Sequence, residues 1–328
     1  MKSDKKPSRL AALLALAVML CVAGAVWRLA AQEPRAPPEH RLRVEVGVVS
    51  LYCTVKNGKG ALITDLQRPD FEVKEDGKRQ EVRYFAQETD RPLTLGLLID
   101  TSISMRNVLP EEQETGAKFL KQVLRASDLA LLMTFDVNVD LVQDFTSEAE
   151  RLEAALRRTR INAPVSAGPF PRAPRGTRLY DAVYLASRQK LAGEVGRKAL
   201  IVISDGVDQG SEVKLKEAVE AAHRADTIIY AIGITDPAFY QFDHQFFDGR
   251  GVLNDLAKET GGRAIFPRDA EDLQEAFDLI AAELRSQYYL GYTPTNAARD
   301  GRFRKIEVKV KRGGLKVQAR RGYYASAE

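Results

Sequence analysis

Two apolar segments in the middle of the chain each end in an aspartate. Residues 93–99 read Leu-Thr-Leu-Gly-Leu-Leu-Ile and precede Asp100, and residues 199–204 read Ala-Leu-Ile-Val-Ile-Ser and precede Asp205. Unbroken apolar runs of this length are typical of strands that are buried on both faces of a parallel sheet. Residues 227–234 form a third run of the same kind. The pattern therefore predicts a parallel sheet at the centre of the fold.

Segments with helical spacing alternate with these strands. Pro110, followed by Glu111 and Glu112, marks the start of the first helix, because proline suits the first turn and acidic side chains suit its positive end. The spacing predicts further helices over 147–158, 213–222, 252–260 and 270–284, and further strands over 129–135, 139–145 and 263–266. This alternation is typical of a doubly wound, mostly parallel α/β sheet, a Rossmann-like fold.

Strict alternation of apolar and polar residues marks both flanks of this block. Before it, residues 42–55, 71–74 and 82–85 read as strands, and Asn57-Gly58 predicts a hairpin turn. After it, residues 305–311 and 315–320 alternate around Gly313-Gly314 and predict a second hairpin whose basic residues face water. Both flanks connect to the α/β block at the same end, opposite the carboxyl ends of its strands. We therefore expect them to pack together as one small antiparallel β-sandwich.

The charge of the chain gives no support for a nucleic-acid partner. The 328 residues include 49 basic and 45 acidic ones, and 45% are hydrophobic, which is ordinary for a globular protein with room for two domains. Five of the basic residues and one acidic residue lie in the first 31, which leaves 44 of each in the remainder. The remainder is neutral, so we expect no nucleic-acid binding.

The N-terminus reads as an export signal. Lysines precede an apolar segment at 10–27 that contains no charged residue, and small residues follow it. This pattern fits a secretory signal peptide over 1–31, or an uncleaved anchor in the inner membrane formed by 10–27. Either alternative places the rest of the chain in the periplasm or outside the cell. A proline-rich linker occupies 32–41, and Cys53 is expected to be a buried apolar residue.

Oxygen-bearing side chains collect where the predicted parallel strands end. Asp100, Ser102 and Ser104 follow the first strand, Asp205 follows the second, and Thr177 precedes a predicted helix that it can cap. Ligands in open α/β sheets bind outside the carboxyl ends of the strands. Two carboxylates with hydroxyls suit a hard cation, although an Asp-x-Ser-x-Ser segment also suits simple turn and cap chemistry. These five residues are called the rim site below.

The contexts "LLIDTSIS", "GTRLYDA" and "VISDG" resemble the von Willebrand factor type A (VWA) domain over about residues 93–284. Its metal-ion-dependent adhesion site corresponds to Asp100, Ser102, Ser104, Thr177 and Asp205. The resemblance implies a bound Mg²⁺, with Mn²⁺ or Ca²⁺ as alternatives, and a protein partner that supplies an Asp or Glu carboxylate. It implies binding and no enzymatic turnover. Ile103 departs from the pattern, because many relatives have glycine there.

The resemblance also suggests how the chain is divided. The expected segments are the leader 1–31, the linker 32–41, a β flank 42–90, the VWA domain 92–284 and a second β flank 285–328. The flank segments "DFEVKEDGKRQEVRYF" and Tyr-Leu-Gly-Tyr at 289–292 resemble bacterial exported proteins of this class. Neither the partner nor the oligomeric state follows from the sequence.

Residues 236–250 lie near the same rim and are a candidate partner-binding surface. Aromatic side chains are frequent anchors of protein interfaces, and here they alternate with ionisable ones. The candidate residues are Tyr240, Phe242, Asp243, His244, Phe246 and Phe247. A packed loop is the alternative interpretation.

Two further functions compete with metal-dependent adhesion. A metal-dependent hydrolase also uses a hard cation at a strand end, but the sequence has no Walker loop, Gly-x-Ser-x-Gly or metalloprotease motif. A structural protein of the cell envelope would need no metal.

Overall fold

The computed structural model describes residues 47–88, 91–161, 176–235 and 249–327. The predicted leader 1–31 and linker 32–41 lie outside these residues. Among the described residues, no helix is long and apolar enough to span a membrane.

The predicted strands and helices within the described residues appear in the predicted order, and three further strands lie at 78–80, 287–292 and 322–324. The strands are β1 Val49–Lys56, β2 Phe71–Glu75, β3 Lys78–Gln80, β4 Val82–Glu88, β5 Leu93–Asp100, β6 Leu129–Phe135, β7 Val139–Thr146, β8 Arg197–Ser204, β9 Thr227–Gly233, β10 Ala264–Ile265, β11 Gln287–Tyr292, β12 Phe303–Val310, β13 Lys316–Ala319 and β14 Gly322–Tyr324. The helices are α1 Leu109–Val123, α2 Ala149–Leu156, α3 Leu179–Leu185, α4 Leu215–Arg224, α5 Gly249–Thr260 and α6 Ala270–Arg285.

The central sheet has the strand order β10-β9-β8-β5-β6-β7. All neighbours pair in parallel except β7, which runs antiparallel to β6 at the edge. Every residue of β5, β8 and β9 is buried, which explains why these strands read as unbroken apolar runs. The predicted doubly wound α/β fold is confirmed.

Helices cover both faces of the central sheet. On one face, α1, α2 and α6 form a core in which the rings of Phe119 and Phe277 lie 4.9 Å apart. On the other face, α3, α4 and α5 bury Leu179, Ala218 and Leu253 against the strands. Two helical layers shield the sheet from water, and its strands open to solvent at their ends, where the loops lie.

The flanks build two small antiparallel sheets, and each sheet takes strands from both ends of the chain. One sheet has the order β13-β1-β11-β4 and the other β14-β12-β2-β3. Both sheets contribute to one core that includes Leu51, Val73, Leu290 and Ile306. The expectation that the two flanks form one sandwich is confirmed. Cys53 lies in this core, where burial raises the pKa of its thiol to about 12.

The turn predicted at Asn57-Gly58 is confirmed, with only a short antiparallel pairing after it, whereas the hairpin predicted around Gly313-Gly314 is wrong. Asn57 does form a tight turn, because its side-chain oxygen accepts hydrogen bonds from the backbone N–H groups of Lys59 and Ala61, but only a single bridge between Lys56 and Leu62 follows. After β12 the chain turns at 311–315 and crosses to the other sheet, where β13 pairs with β1. Turn residues fix a change of direction, whereas pairing partners depend on the packing of the whole sandwich.

A buried ion pair joins the sandwich to the last helix of the α/β block. The Nζ atom of Lys56 in β1 lies 2.5 Å from a carboxylate oxygen of Glu283 in α6, and Glu283 is 0% exposed. The Gln318 side chain bonds to both residues. Since α6 also runs almost directly into β11, the helix is held at its C-terminal end by the sandwich.

Candidate cation site

The carboxyl ends of β5 and β8 lie side by side at one edge of the central sheet. The two strands pair in register from Leu93 with Arg197 to Ile99 with Ile203, so Asp100 and Asp205 follow neighbouring strand ends. Both aspartates are buried, with 0% and 8% exposure. The strand register therefore brings the two predicted carboxylates to the same place.

The loop after β5 folds back onto Asp100. The Oδ1 atom of Asp100 accepts a hydrogen bond of 2.9 Å from the backbone N–H of Ser102, and a short 3₁₀ turn, Ile103–Met105, follows. The hydroxyl oxygens of Ser102 and Ser104 are 3.0 Å apart. This turn directs both hydroxyls of the Asp-x-Ser-x-Ser segment to one side of the loop.

Serine hydroxyls connect the two strand ends. Ser104 donates a 2.7 Å hydrogen bond to Oδ2 of Asp205. Ser204, the last residue of β8, donates a 2.6 Å hydrogen bond to Oδ2 of Asp100. Four members of the rim site, Asp100, Ser102, Ser104 and Asp205, are thus linked in one network.

The electrostatics of this network favour a cation. Burial and then the nearby charge of Asp205 raise the pKa of Asp100 to about 7. A divalent ion would relieve the repulsion between the carboxylates, and oxygen-only donors are those that Mg²⁺ prefers. Among the described residues, no three acidic, histidine or cysteine side chains form a group that could hold a metal. The donors that fit a hard cation here are two carboxylates completed by hydroxyls.

Thr177 lies on the loop before α3, which contacts the loop that follows Asp205. It is 7% exposed, and its carbonyl oxygen accepts a hydrogen bond of 3.1 Å from Gln209, four residues beyond Asp205. The predicted capping role is wrong, because the N-cap residue of α3 is Arg178. Side chains of the loop after β8 cap α3 instead, with Asp208 accepting from the N–H of Tyr180 and Ser211 accepting from that of Asp181. These bonds hold the Thr177 loop against the Asp205 loop.

Asp136, at the end of β6, is a supporting residue that the sequence reading missed. Its side chain accepts a 2.7 Å hydrogen bond from the hydroxyl of Thr101, and its carbonyl oxygen accepts one of 2.9 Å from the N–H of Arg178. It thereby ties the Asp100 loop to the Thr177 loop. Ser204 was also missed, although its position just before Asp205 offered a signal. No motif pointed to Asp136.

Two glycines allow the backbone at Asp205 to pack closely. Gly206 has φ of +81°, and a Cβ atom added there would lie 2.3 Å from the carbonyl oxygen of Gly249 at the start of α5. Gly249 in turn approaches the carbonyl oxygen of Asp205. The α5 helix therefore begins directly behind the Asp205 loop, which leaves no room for a side chain at either position.

We expect Gly206→Ala to destabilise the protein by about 2 kcal/mol or more, because it adds left-handed strain to a backbone clash. Urea unfolding of this variant against the wild type measures the effect. Gly58→Ala is the matched control, since its added Cβ would meet nothing within 4 Å. Equal stability of the two variants would contradict the close approach at Gly206.

The structure does not describe the candidate partner surface. Its six residues, Tyr240, Phe242, Asp243, His244, Phe246 and Phe247, lie outside the described residues. Ile103, the departure noted in the sequence, is described and is 48% exposed. An apolar side chain therefore stands on the solvent side of the loop between the two serines.

A family model for the von Willebrand factor type A domain matches residues 95–279. The chain belongs to this family. The matched segment begins in β5 and ends in α6, so it includes every residue of the rim site and all of the central sheet except the first two residues of β5. The VWA resemblance inferred from the three short motifs is thereby confirmed at the level of the family.

Several solved VWA-type structures resemble the chain. BatB from Bacteroides thetaiotaomicron is 19% identical with a TM-score of 0.46, and the match covers 59% of this chain and all of that one. The vWF domain of the type V pili tip protein Mfa5 from Porphyromonas gingivalis is 15% identical with a TM-score of 0.45 and coverage of 59% and 95%. Proximal thread matrix protein 1 from the mussel byssus, with a zinc-occupied MIDAS motif, is 12% identical with a TM-score of 0.48 and coverage of 64% and 49%. A search of curated proteins gives no significant match.

Proposed function

We propose that this VWA protein binds a divalent cation, preferentially Mg²⁺, at the rim site and uses it to bind a protein partner. Asp100, Ser102, Ser104, Thr177 and Asp205 hold the ion in this proposal, and a partner Asp or Glu carboxylate completes its coordination. The leader read from the sequence would place this interaction in the periplasm or outside the cell. Residues 240–247 remain the proposed partner surface.

One observation carries the proposal. Two buried aspartates at neighbouring strand ends share one hydrogen-bonded network with serine hydroxyls, and burial together with their mutual repulsion raises the pKa of Asp100 to about 7. Buried carboxylates of this kind are costly unless something compensates their charge. The hydroxyls add ligands without adding negative charge, so a bound Mg²⁺ would remain attractive to an incoming carboxylate.

The hydrolase alternative has no histidine base at the rim among the described residues. His223 is the only described histidine; it packs against Phe303 and Tyr324 of the sandwich, at the end of α4. Burial and then Arg320 lower the pKa of His223 to about 4. A neutral, enclosed imidazole at that position cannot serve a cation at the rim. Binding without turnover, which the VWA family favours, is the function that we propose.

A calorimetric titration with Mg²⁺ tests the proposal directly. We expect the metal-free protein to bind about one ion, and Asp205→Ala to reduce the affinity at least a hundredfold, because it removes a buried ligand charge. In a pull-down from an envelope extract, the wild type should capture its partner with Mg²⁺ and release it with chelator. The Asp205→Ala variant should not capture this protein. A partner that stays bound in chelator would favour the structural, metal-independent alternative, and absence of Mg²⁺ binding by the wild type would refute the proposal.

A further inference from the structure

Glu112 is a buried carboxylate that nothing in the rim site accounts for. It lies in the first turn of α1, is 0% exposed, and neither of its carboxylate oxygens has a hydrogen-bond partner among the described residues. A buried polar group without a partner costs free energy, and a buried carboxylate costs more than most. We expect a group from outside the protein chain to form hydrogen bonds with the Glu112 carboxylate.

The backbone places Glu112 close behind the Asp100 loop. Successive turns connect them, because the N–H of Met105 bonds to the carbonyl of Ser102, that of Val108 to Met105, and that of Glu112 to Val108. Burial and the charges of Asp100, Glu111 and Asp205 raise the pKa of Glu112 well above its usual range. Glu112 therefore responds to the same two aspartates that face each other across the rim.

We propose that Glu112 is a third acidic residue of the cation site, which acts through a bound water and not as a direct ligand. This inference rests on the proposed function. A position outside the direct ligands fits, because neither carboxylate oxygen of Glu112 joins the hydrogen-bonded network of the rim site. A cation with its water shell supplies both the positive charge and the hydrogen-bond donors that the Glu112 oxygens lack. Residues in this outer position orient ligands and tune metal affinity.

Isothermal titration of Mg²⁺ into metal-free Glu112→Gln tests the inference, with Glu114→Gln as the matched control. Glu114 lies on the same helix but is exposed and paired with Lys118. We expect Glu112→Gln to raise the Kd for Mg²⁺ about tenfold or more, as is typical when an outer-shell partner of a metal ligand is lost. Glu114→Gln should leave the Kd unchanged, and Glu112→Asp, which keeps the charge, should restore part of the affinity.

Thermal unfolding in chelator separates this role from a structural one. The amide keeps the shape of the buried side chain and removes its charge, so Glu112→Gln should melt no lower than the wild type without metal. A variant that binds Mg²⁺ with wild-type affinity would overturn the inference while leaving the proposed function intact. A variant that fails to fold both in chelator and in Mg²⁺ would also overturn it. If the wild type binds no Mg²⁺, the proposed function itself fails.

Discussion

Asp100→Asn should make the metal-free protein more stable and at the same time remove its response to Mg²⁺. The folded-state pKa of Asp100 is raised to about 7 by burial and by Asp205, whereas an aspartate in the unfolded chain has its ordinary pKa of 3.8. An acid whose pKa is higher in the folded state destabilises that state progressively as the pH rises above the unfolded-state pKa, and the effect is complete above the folded-state pKa. At pH 8 this difference corresponds to about 4 kcal/mol, and we expect weakened hydrogen bonds to Ser102 and Ser204 to offset about half of it, so that the amide raises the free energy of unfolding by about 2 kcal/mol in chelator.

In Mg²⁺ the wild type should become more stable than the Asp100→Asn variant. At a concentration a hundredfold above the Kd, a ligand that binds only the folded state adds about 2.7 kcal/mol of stability. The wild type should gain this amount and Asp100→Asn should gain almost none. Urea unfolding at pH 8, with and without Mg²⁺, measures both effects.

The control for this experiment is Asp140→Asn. Asp140 is an exposed residue of the edge strand β7, so its substitution should alter neither stability nor the Mg²⁺ response. An Asp100→Asn variant that keeps the full Mg²⁺-dependent gain would refute the assignment of Asp100 as a ligand. A variant that is less stable than the wild type in chelator would show that its hydrogen bonds outweigh the repulsion.

Glu283→Gln should destabilise the protein by about 3 kcal/mol, because it leaves the Lys56 ammonium buried without its partner charge. Lys56 is 8% exposed and Glu283 0%, so solvent cannot replace the lost interaction. Arg263 lies 3.2 Å from the same carboxylate and would lose its partner as well. The effect is measured by the urea dependence of unfolding at neutral pH.

A double variant distinguishes the ion pair from simple packing. Lys56→Met combined with Glu283→Leu should recover part of the stability that Glu283→Gln loses, since two apolar side chains leave fewer unpaired charges. Asp65→Asn is the matched control. It breaks an ion pair of 2.9 Å with Arg312 that also joins distant parts of the chain but is exposed, and its effect should be below about 1 kcal/mol. Equal losses for Glu283→Gln and Asp65→Asn would contradict this account.

The Lys56–Glu283 pair also links the position of α6 in the α/β block to that of the sandwich. The helix α6 packs on the central sheet through Phe277, and it continues within two residues into the sandwich strand β11. A change in the position of α6 would therefore have to move β11 or break the buried pair. We expect the sandwich to restrain this helix for that reason.

The sequence by itself determined the central sheet and the residues at its rim. Strands that are buried on both faces must be apolar throughout, so β5, β8 and β9 could be read directly, and Asp100 and Asp205 stood out where those runs ended. Apolar residues recur every two residues in the flanks and with helical spacing of 3.6 residues in parts of the α/β block, and this difference separated the two regions. The five residues of the rim site and the VWA family followed from three short motifs.

Only the tertiary structure decided which distant groups meet. The hairpin predicted around Gly313-Gly314 failed because β12 and β13 find their partners in different sheets, and pairing across more than two hundred residues leaves no local pattern. Thr177 was expected to cap α3, but Asp208 and Ser211 from another loop do so. The unpartnered burial of Glu112 also could not be read from a sequence in which it resembles any acidic residue of a first helical turn. Local patterns record the environment of a strand or helix, whereas hydrogen-bond partners, buried charges and their energies depend on contacts that form only when the chain has folded.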